Sequence, residues 1–238
     1  PDPGVSLRER TARKRTARER LERVEHALSQ LPELQAAKER QARHAGKARQ
    51  ARLKEPRVST TDPEARVMKM AEGNFRPAYN VQLATDVDSQ VIVGVGAINR
   101  GNDQGEGLAM EEQVAQRTGQ HPGAYLLDGG FVDLEDIEAL EGRGVRVYAP
   151  PRKRQGGQKV TRKPDTKPGE TAWRQRMESE EGQAIYRHRA STAECVNAQF
   201  RMKYGAQRFT VRGVTKVTGI ALLLAITHNM LRWAALTA

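Results

Sequence analysis

AYNVQLAT at residues 78–85 and QVIVGVGAI at 90–98 decide how the chain is read. Both are short runs rich in apolar and β-branched residues, and Asp86-Val87-Asp88-Ser89 joins them. Such runs around a polar turn predict an antiparallel hairpin. Working toward the C-terminus, residues 105–117 predict a helix, and AYLL at 124–127 predicts a strand ending at Asp128-Gly129-Gly130. A helix over 134–141 and a strand at VRVYA, 145–149, follow. The order β-β-α-β-α-β predicts an α/β domain with a mixed sheet and helices on its faces.

The flanks are different in kind. Residues 7–54 are rich in Arg, Ala, Glu, Leu and Lys, and Leu21, Val24, Leu28 and Leu31 follow a helical three/four spacing. Pro32 interrupts the run, so two helices packed as a hairpin are expected. The segment reads equally well as a basic DNA-contacting arm and as a solvated coiled-coil spacer. Residues 58–72 predict a loop and a short helix, with Asp62-Pro63-Glu64 as an N-cap followed by proline at the first helical position. On the other side, PRKRQGGQKVTRKPDTKPG at 151–169 lacks periodicity and predicts a flexible basic loop. A long helix over 172–204 and a last helix over 215–236 complete the reading. The apolar run Ile220 to Ile226 falls below the roughly 20 residues of a membrane span and predicts a buried helix without membrane contact.

Charge is unevenly spread. The chain of 238 residues has a formal net charge of +11. Residues 1–57 contribute +8, 58–150 contribute −8, 151–168 contribute +6 and 169–238 contribute +5. An acidic centre between basic segments suits carboxylates that gather cations and arms that hold a polyanion, of which nucleic acid is the obvious one. The one cysteine, Cys195, excludes an intramolecular disulfide and a cysteine-based zinc site, and fits a reducing cytoplasm.

Two places hold candidate chemistry. Asp128 follows an apolar strand and precedes two glycines, where open α/β sheets present reactive groups and where the backbone can approach a large ligand. An ordinary Asp-Gly turn explains the same residues. In YRHRASTAECVNAQFRMK, Tyr186, Arg189, Glu194, Asn197 and Arg201 fall within one arc of a helix at about 100° per residue. A carboxylate among phenol, guanidinium and amide groups suits a hard cation with phosphates around it. A solvated face with a weak Glu–Arg pair is the alternative.

Five stretches add a resemblance: VSTTDPEARVMK (58–69), FRPAYNVQLATD (75–86), VGAINRGND (95–103), YLLDGGF (125–131) and the helix Tyr186-x2-Arg189-x4-Glu194-x6-Arg201. With the tail RFTVRGVTKV…LLLAITHNML at 208–231, they resemble bacterial insertion-sequence transposases of the DDE type, over about residues 58–238. The resemblance implies an RNase-H-like mixed sheet flanked by helices. It implies three carboxylates holding two Mg2+ or Mn2+ ions for DNA cleavage and strand transfer. Asp128 then stands as the second acid and Glu194 as the third, both metal ligands, within roughly 4–8 Å of each other. Tyr186, Arg189, Asn197, Arg201 and the neighbouring Lys203 stand as DNA contacts. Arg201 replaces the family's usual lysine, which keeps a cation but alters its geometry.

The first acid of such enzymes ends the first strand, ahead of a helical insertion. Segment 1–57 resembles that insertion, so the catalytic domain at 58–238 is expected to lack its first strand and first acid. Asp62, read as a helix cap, and Asp86, in a hairpin turn, are the weaker substitutes. The partners implied are transposon-end and target DNA and a second copy in a synaptic homodimer. Two other functions remain open: a catalytically inactive DNA-binding truncation product, and a metal-dependent phosphoesterase of another fold that uses Asp128.

Overall fold

The computed structural model describes residues 6–44, 55–70, 72–151 and 167–238. Most of the expected flexible basic loop, and residues 45–54 of the expected hairpin, lie outside them. What is described is a mixed α/β chain built on small sheets, each of two strands.

Helix α1 (Leu7–His44) runs 38 residues with Pro32 inside it, so over these residues the expected hairpin is one continuous helix. Proline removes one backbone bond, to the carbonyl four residues back. Pro32 and Leu28 are both exposed, so water can reach the carbonyl that loses its partner. The surrounding Arg, Ala, Glu and Leu residues have high helix propensity. The expected apolar stripe is not a buried one: Leu21 and Leu28 face solvent, while Ala27 and Ala42 are covered.

No helix follows Asp62. Residues 62–65 make a turn, and β1 (Arg66–Lys69) pairs antiparallel with β2 (Phe75–Ala78). Asp62 and Glu64 instead serve a helix about 150 residues away. Gly213 N–H donates to Asp62 Oδ2 at 3.3 Å and Val214 N–H to Glu64 Oε2 at 2.8 Å, at the start of the last helix. Carboxylates there satisfy orphan donors and favour the positive end of the helix dipole. The sequence signal for a helix N-terminus was sound, but it named the wrong helix.

The hairpin at the centre forms as expected. β3 (Asn80–Thr85) and β4 (Ile92–Ile98) pair antiparallel, with a register irregularity at Ala84/Thr85. Asp86 closes the turn by accepting from Ser89 N–H at 2.8 Å and from its hydroxyl at 2.6 Å. The Ser89 hydroxyl bond is the main reason its carboxyl titrates below the usual range. Helix α2 (Gly107–Thr118) packs on this ladder. A Cβ at Gly94 would stand 2.5 Å from Met110 Sδ and 2.9 Å from Ala84 Cβ, so only glycine admits the helix this closely.

The second ladder is parallel. β5 (Ala124–Leu126) and β6 (Arg146–Tyr148) pair through the crossover helix α3 (Leu134–Gly142). Glu111, fully buried, meets His121 Nδ1 at 2.6 Å and accepts from Arg143 Nη1 at 3.1 Å, joining α2 to the end of α3. The expected mixed sheet is thus two separate ladders here, and among the described residues no strand joins β3 to β5.

The expected long helix over 172–204 is broken. It comprises α4 (Pro168–Glu178), α5 (Glu180–Arg189), a π turn (Ala190–Glu194) and α6 (Cys195–Met202). Ser179 makes the first break: its backbone is extended and its hydroxyl accepts from Gly182 N–H at 3.0 Å, capping α5. Helix α7 (Val214–Thr237) ends the chain. Its run Ile220 to Ile226 is only partly buried, with Leu223 and Ile226 exposed. Over its 24 residues α7 is long and apolar enough to cross a membrane by length and composition alone, a correction to the shorter run counted from sequence. One such helix is weak evidence of a membrane protein, and α7 is tied to the hairpin through polar groups. Asn229 brackets Ile92, accepting from its N–H and donating to its carbonyl, both at 2.8 Å.

Two cores result. Trp173, Ile137, Leu140 and Val147 bury β6 between α3 and α4. Ile92, Val95, Val196, Phe200 and Ala221 bury β4 against α6 and α7.

Candidate acid-pair site

The site forms where these two cores meet. Leu127 N–H still reaches Tyr148 O at 2.8 Å, and the chain then turns at Asp128. Asp128 has extended backbone angles and caps a 3-10 turn, Gly129–Phe131, accepting from Gly129 N–H at 2.8 Å. The turn reading of Asp-Gly is therefore correct, and it leaves the carboxylate 60% exposed at the strand end.

Glu194 arrives from the other core. Helix α5 packs Ile185 and Tyr186 against the β5–β6 core, whereas α6 packs Val196 and Phe200 against the β4–α7 core. The π turn lies between them. In a regular α-helix Arg189 and Glu194 would point about 140° apart. A π turn bonds i to i+5 and turns later residues back by about one position, bringing the two to about 40°. Local chemistry favours the turn without dictating it. The hydroxyls of Ser191 and Thr192 both donate to His188 O at 3.0 Å, competing for the carbonyl an α-helix would give to Thr192 N–H.

The two acids converge on one cation. Arg189 Nη2 lies 3.9 Å from Asp128 Oδ1 and 3.9 Å from Glu194 Oε1. These two oxygens are therefore no farther apart than twice that distance. The Arg189 guanidinium also stands 5.7 Å from the centre of the Tyr186 ring. Burial raises the Tyr186 hydroxyl above its usual titration range, and the Arg189 charge opposes that rise. Carboxylates gathered round one cation are donors that a hard divalent ion accepts. Among the described residues, no group of three His, Cys, Asp or Glu is placed to hold a metal ion. Two carboxylates alone are fewer than such a group.

The remaining expected residues do not join this cluster. Asn197, Arg201 and Lys203 lie exposed along and just beyond α6, with Lys203 Nζ 5.6 Å from the Tyr204 ring. Asn197 and Arg201 share one side of α6, whereas Lys203 falls about 160° round from Arg201. Of the substitutes for a first acid, Asp62 is engaged by Tyr79 O–H, which donates at 2.8 Å, as well as by Gly213. Asp86 is committed to its turn.

Sequence reasoning missed Asp103. Its Oδ1 accepts from Asn80 Nδ2 at 2.5 Å and Gln82 Nε2 at 2.9 Å, both on β3. Its Oδ2 is 3.5 Å from where a Cβ on Gly130 would stand, so it abuts the Asp128 turn. The available signal was an amide at i and i+2 on one face of an otherwise apolar strand, which needs a polar partner when buried.

Comparison with known proteins agrees with the resemblance. A family model described as Transposase DDE domain matches residues 150–234. The match takes in Tyr186, Arg189, Glu194, Asn197, Arg201 and Lys203 and stops short of Asp128. No curated protein matches the chain. No solved structure does either.

Proposed function

With the transposase DDE domain match as premise, we propose that this chain is a DDE transposase whose Asp128 and Glu194 are two of the three carboxylates of a nuclease and strand-transfer site. The observation that supports this is the convergence of both acids on Arg189 from different elements, one inside the matched segment and one outside it. When bound, Mg2+ or Mn2+, two ions in the complete site, supplies activation of the attacking oxygen and stabilisation of the leaving one. The chain's own residues hold and orient. Asp128 and Glu194 present exposed oxygens toward a common point, and Tyr186 limits where the Arg189 guanidinium rests. Asn197, Arg201 and Lys203 offer donors along α6 to a DNA backbone. The basic segments 1–57 and 151–168 add salt-sensitive, sequence-independent attraction. Transposon ends and target are the DNA partners, a homodimer the working assembly, and the cytoplasm the place of work.

The finer RNase-H-like reading calls for one more strand between β3 and β5. Val95 gives its N–H to Gln113 at 2.7 Å rather than to β3, so the facing Leu83 turns its backbone groups away from β4. On β5, Gly123 and Leu127 bond to β6, which turns Ala124 and Leu126 the other way. Both ladders thus offer an edge to an added strand, and such a strand ending in aspartate would bring the third carboxylate.

Metal-dependent 3′-end cleavage of DNA tests this, with the 238-residue chain and with a version extended by an apolar strand that ends in aspartate. The expected result is no strand transfer by the chain alone, activity with the extension, and loss of that activity in Asp128→Asn and Glu194→Gln. Cleavage by the chain alone that Asp62→Ala abolishes would move the first acid to Asp62. An extended chain that binds DNA but never cleaves it would favour a DNA-binding product without catalysis.

A further inference from the structure

Helix α7 is apolar on two opposite faces, and the fold covers one of them. Val217, Ala221, Ala225 and His228 form the buried face, and Ala221 and Ala225 pack with Ile92 and Val95 of the hairpin. About 160° round the helix lie Gly219, Leu223, Ile226, Met230, Trp233 and Thr237. Trp233 is 68% and Met230 66% exposed, and Leu223 and Ile226 are each more than half exposed. A Cβ on Gly219 would meet nothing within 4 Å. These residues are uncharged, and their spacing alternates between four and three from one end to the other. That is the seam of a heptad, which suits packing against another helix. A contiguous row of large apolar side chains marks an interaction surface, whereas scattered single ones do not.

The chain itself limits what covers this row. Residues outside the described ones carry only Val5, Leu53 and Val160 as large apolar side chains, too few to fill it. A lipid surface suits it less well than a protein one. Although α7 is apolar enough for a membrane, its inner side is bonded to the hairpin, where Arg232 Nε donates to Ser89 O at 2.9 Å and Asn229 brackets Ile92. Lys216 and Arg232 are the only lysine or arginine in α7, so no basic row flanks the seam for anionic headgroups. A second copy of the seam does fit. In an antiparallel pair Leu223 meets the partner's Trp233 and Ile226 meets the partner's Met230, and the helix dipoles oppose. A parallel pair would instead set Trp233 on Trp233 and Gly219 on Gly219. The exposed parts of Leu223, Ile226, Met230 and Trp233 amount to roughly 500 Å² per copy, so two copies would hide about 1,000 Å², the lower bound of a specific interface.

We propose that the outer seam of α7 docks antiparallel on the same seam of a second copy, giving a dimer that forms without DNA or metal. Such a dimer differs from a synaptic assembly, which DNA ends bring together. The inference does not rest on the acid-pair reading, since neither Asp128 nor Glu194 lies on α7.

The test is sedimentation equilibrium of the full chain in about 0.5 M salt, where association bridged by stray DNA is screened. Wild type should dimerise with a Kd on the order of 10 μM, as suits an interface of this size. Ile226→Lys and Met230→Glu should each weaken the dimer at least about tenfold, because a charge would be buried against apolar side chains. Mixed in equal amounts, the two variants should recover a dimer, since the antiparallel register sets the new lysine against the new glutamate. Both positions are exposed in one copy, so circular dichroism of each variant should match wild type. Should either fail to fold, Trp233→Ser takes its place with the same expected loss. Wild type that stays monomeric at about 100 μM, ten times that Kd, overturns the proposal. So does a monomer that floats with vesicles of phosphatidylcholine and phosphatidylglycerol, which would give the face to lipid. A dimer that every one of these substitutions leaves intact overturns this surface, and two monomeric variants that fail to recover on mixing overturn the antiparallel arrangement. None of these results touches the acid-pair reading, which is decided by cleavage.

Discussion

The corner at Asp128 and the turn at Glu194 bring a carboxylate to the same guanidinium by opposite means. Asp128 stands at the end of a strand whose ladder, crossover helix and buried Trp173 form one core. Its position follows from where the strand stops. Glu194 stands on an irregular turn between helices that belong to different cores, and its direction follows from how that turn is wound. An acid at a strand end tolerates changes in distant helices that leave its core intact. An acid on a π turn depends on the winding of a few residues. The lesson is that one cluster can draw one carboxylate from a rigid corner and the other from an adjustable joint.

The largest blow to this arrangement is a break in the core beneath the corner. Trp173 is buried and its indole N–H donates to Ala149 O at 3.0 Å. Trp173→Ala should cost about 3–5 kcal/mol, read from urea denaturation, with the β5–β6 half losing amide protection first. Uniform loss of protection across both halves would mean that the two cores unfold as one. A sharper test addresses the joint. Moving the acid back one residue, with Ala193→Glu and Glu194→Ala together, would set it about 40° from Arg189 on a regular α-helix and about 60° to the other side on the π turn. The double variant should bind Mn2+ about tenfold more weakly than wild type, a difference of about 1.4 kcal/mol. Wild-type affinity would show that the segment winds as an α-helix in solution. The smallest effect comes from removing the hydroxyls that compete at His188 O. Ser191→Ala with Thr192→Val should change stability by only about 1 kcal/mol. The Mn2+ affinity, rather than the unfolding midpoint, should register the loss of the turn.

How much was legible depends on whether a signal is local. The hairpin Asn80–Thr85 with Ile92–Ile98, the helices at Gly107–Thr118 and Leu134–Gly142, and the strand before Asp128 were each read from their own residues. Arg189 and Glu194 were read onto one helix face but at opposite edges of it, and the π turn is what draws them together. Asp62-Pro63-Glu64 was read as a helix start because its residue types suit one, yet it caps α7, whose Gly213 and Val214 come from the far end of the chain. Pro32 was read as a break because proline costs a bond, but an exposed helix can leave that carbonyl to solvent. Asp103 escaped notice because its partners Asn80 and Gln82 lie on another strand.

By itself, the sequence determined the α/β order, the strand that ends at Asp128, the charge segregation, and the set Tyr186, Arg189 and Glu194 with the family it resembles. Those are properties of residue types and short spacings, which periodicity and turn chemistry encode locally. Only the tertiary structure decided that Asp128 and Glu194 flank one guanidinium, that Asp62 and Glu64 serve α7, and that Ser179 and a π turn divide the long helix. The physical reason is that these outcomes balance groups distant in sequence. Val196 and Phe200 must fill one core while Ile185 and Tyr186 fill another, and the helix between them winds to suit both.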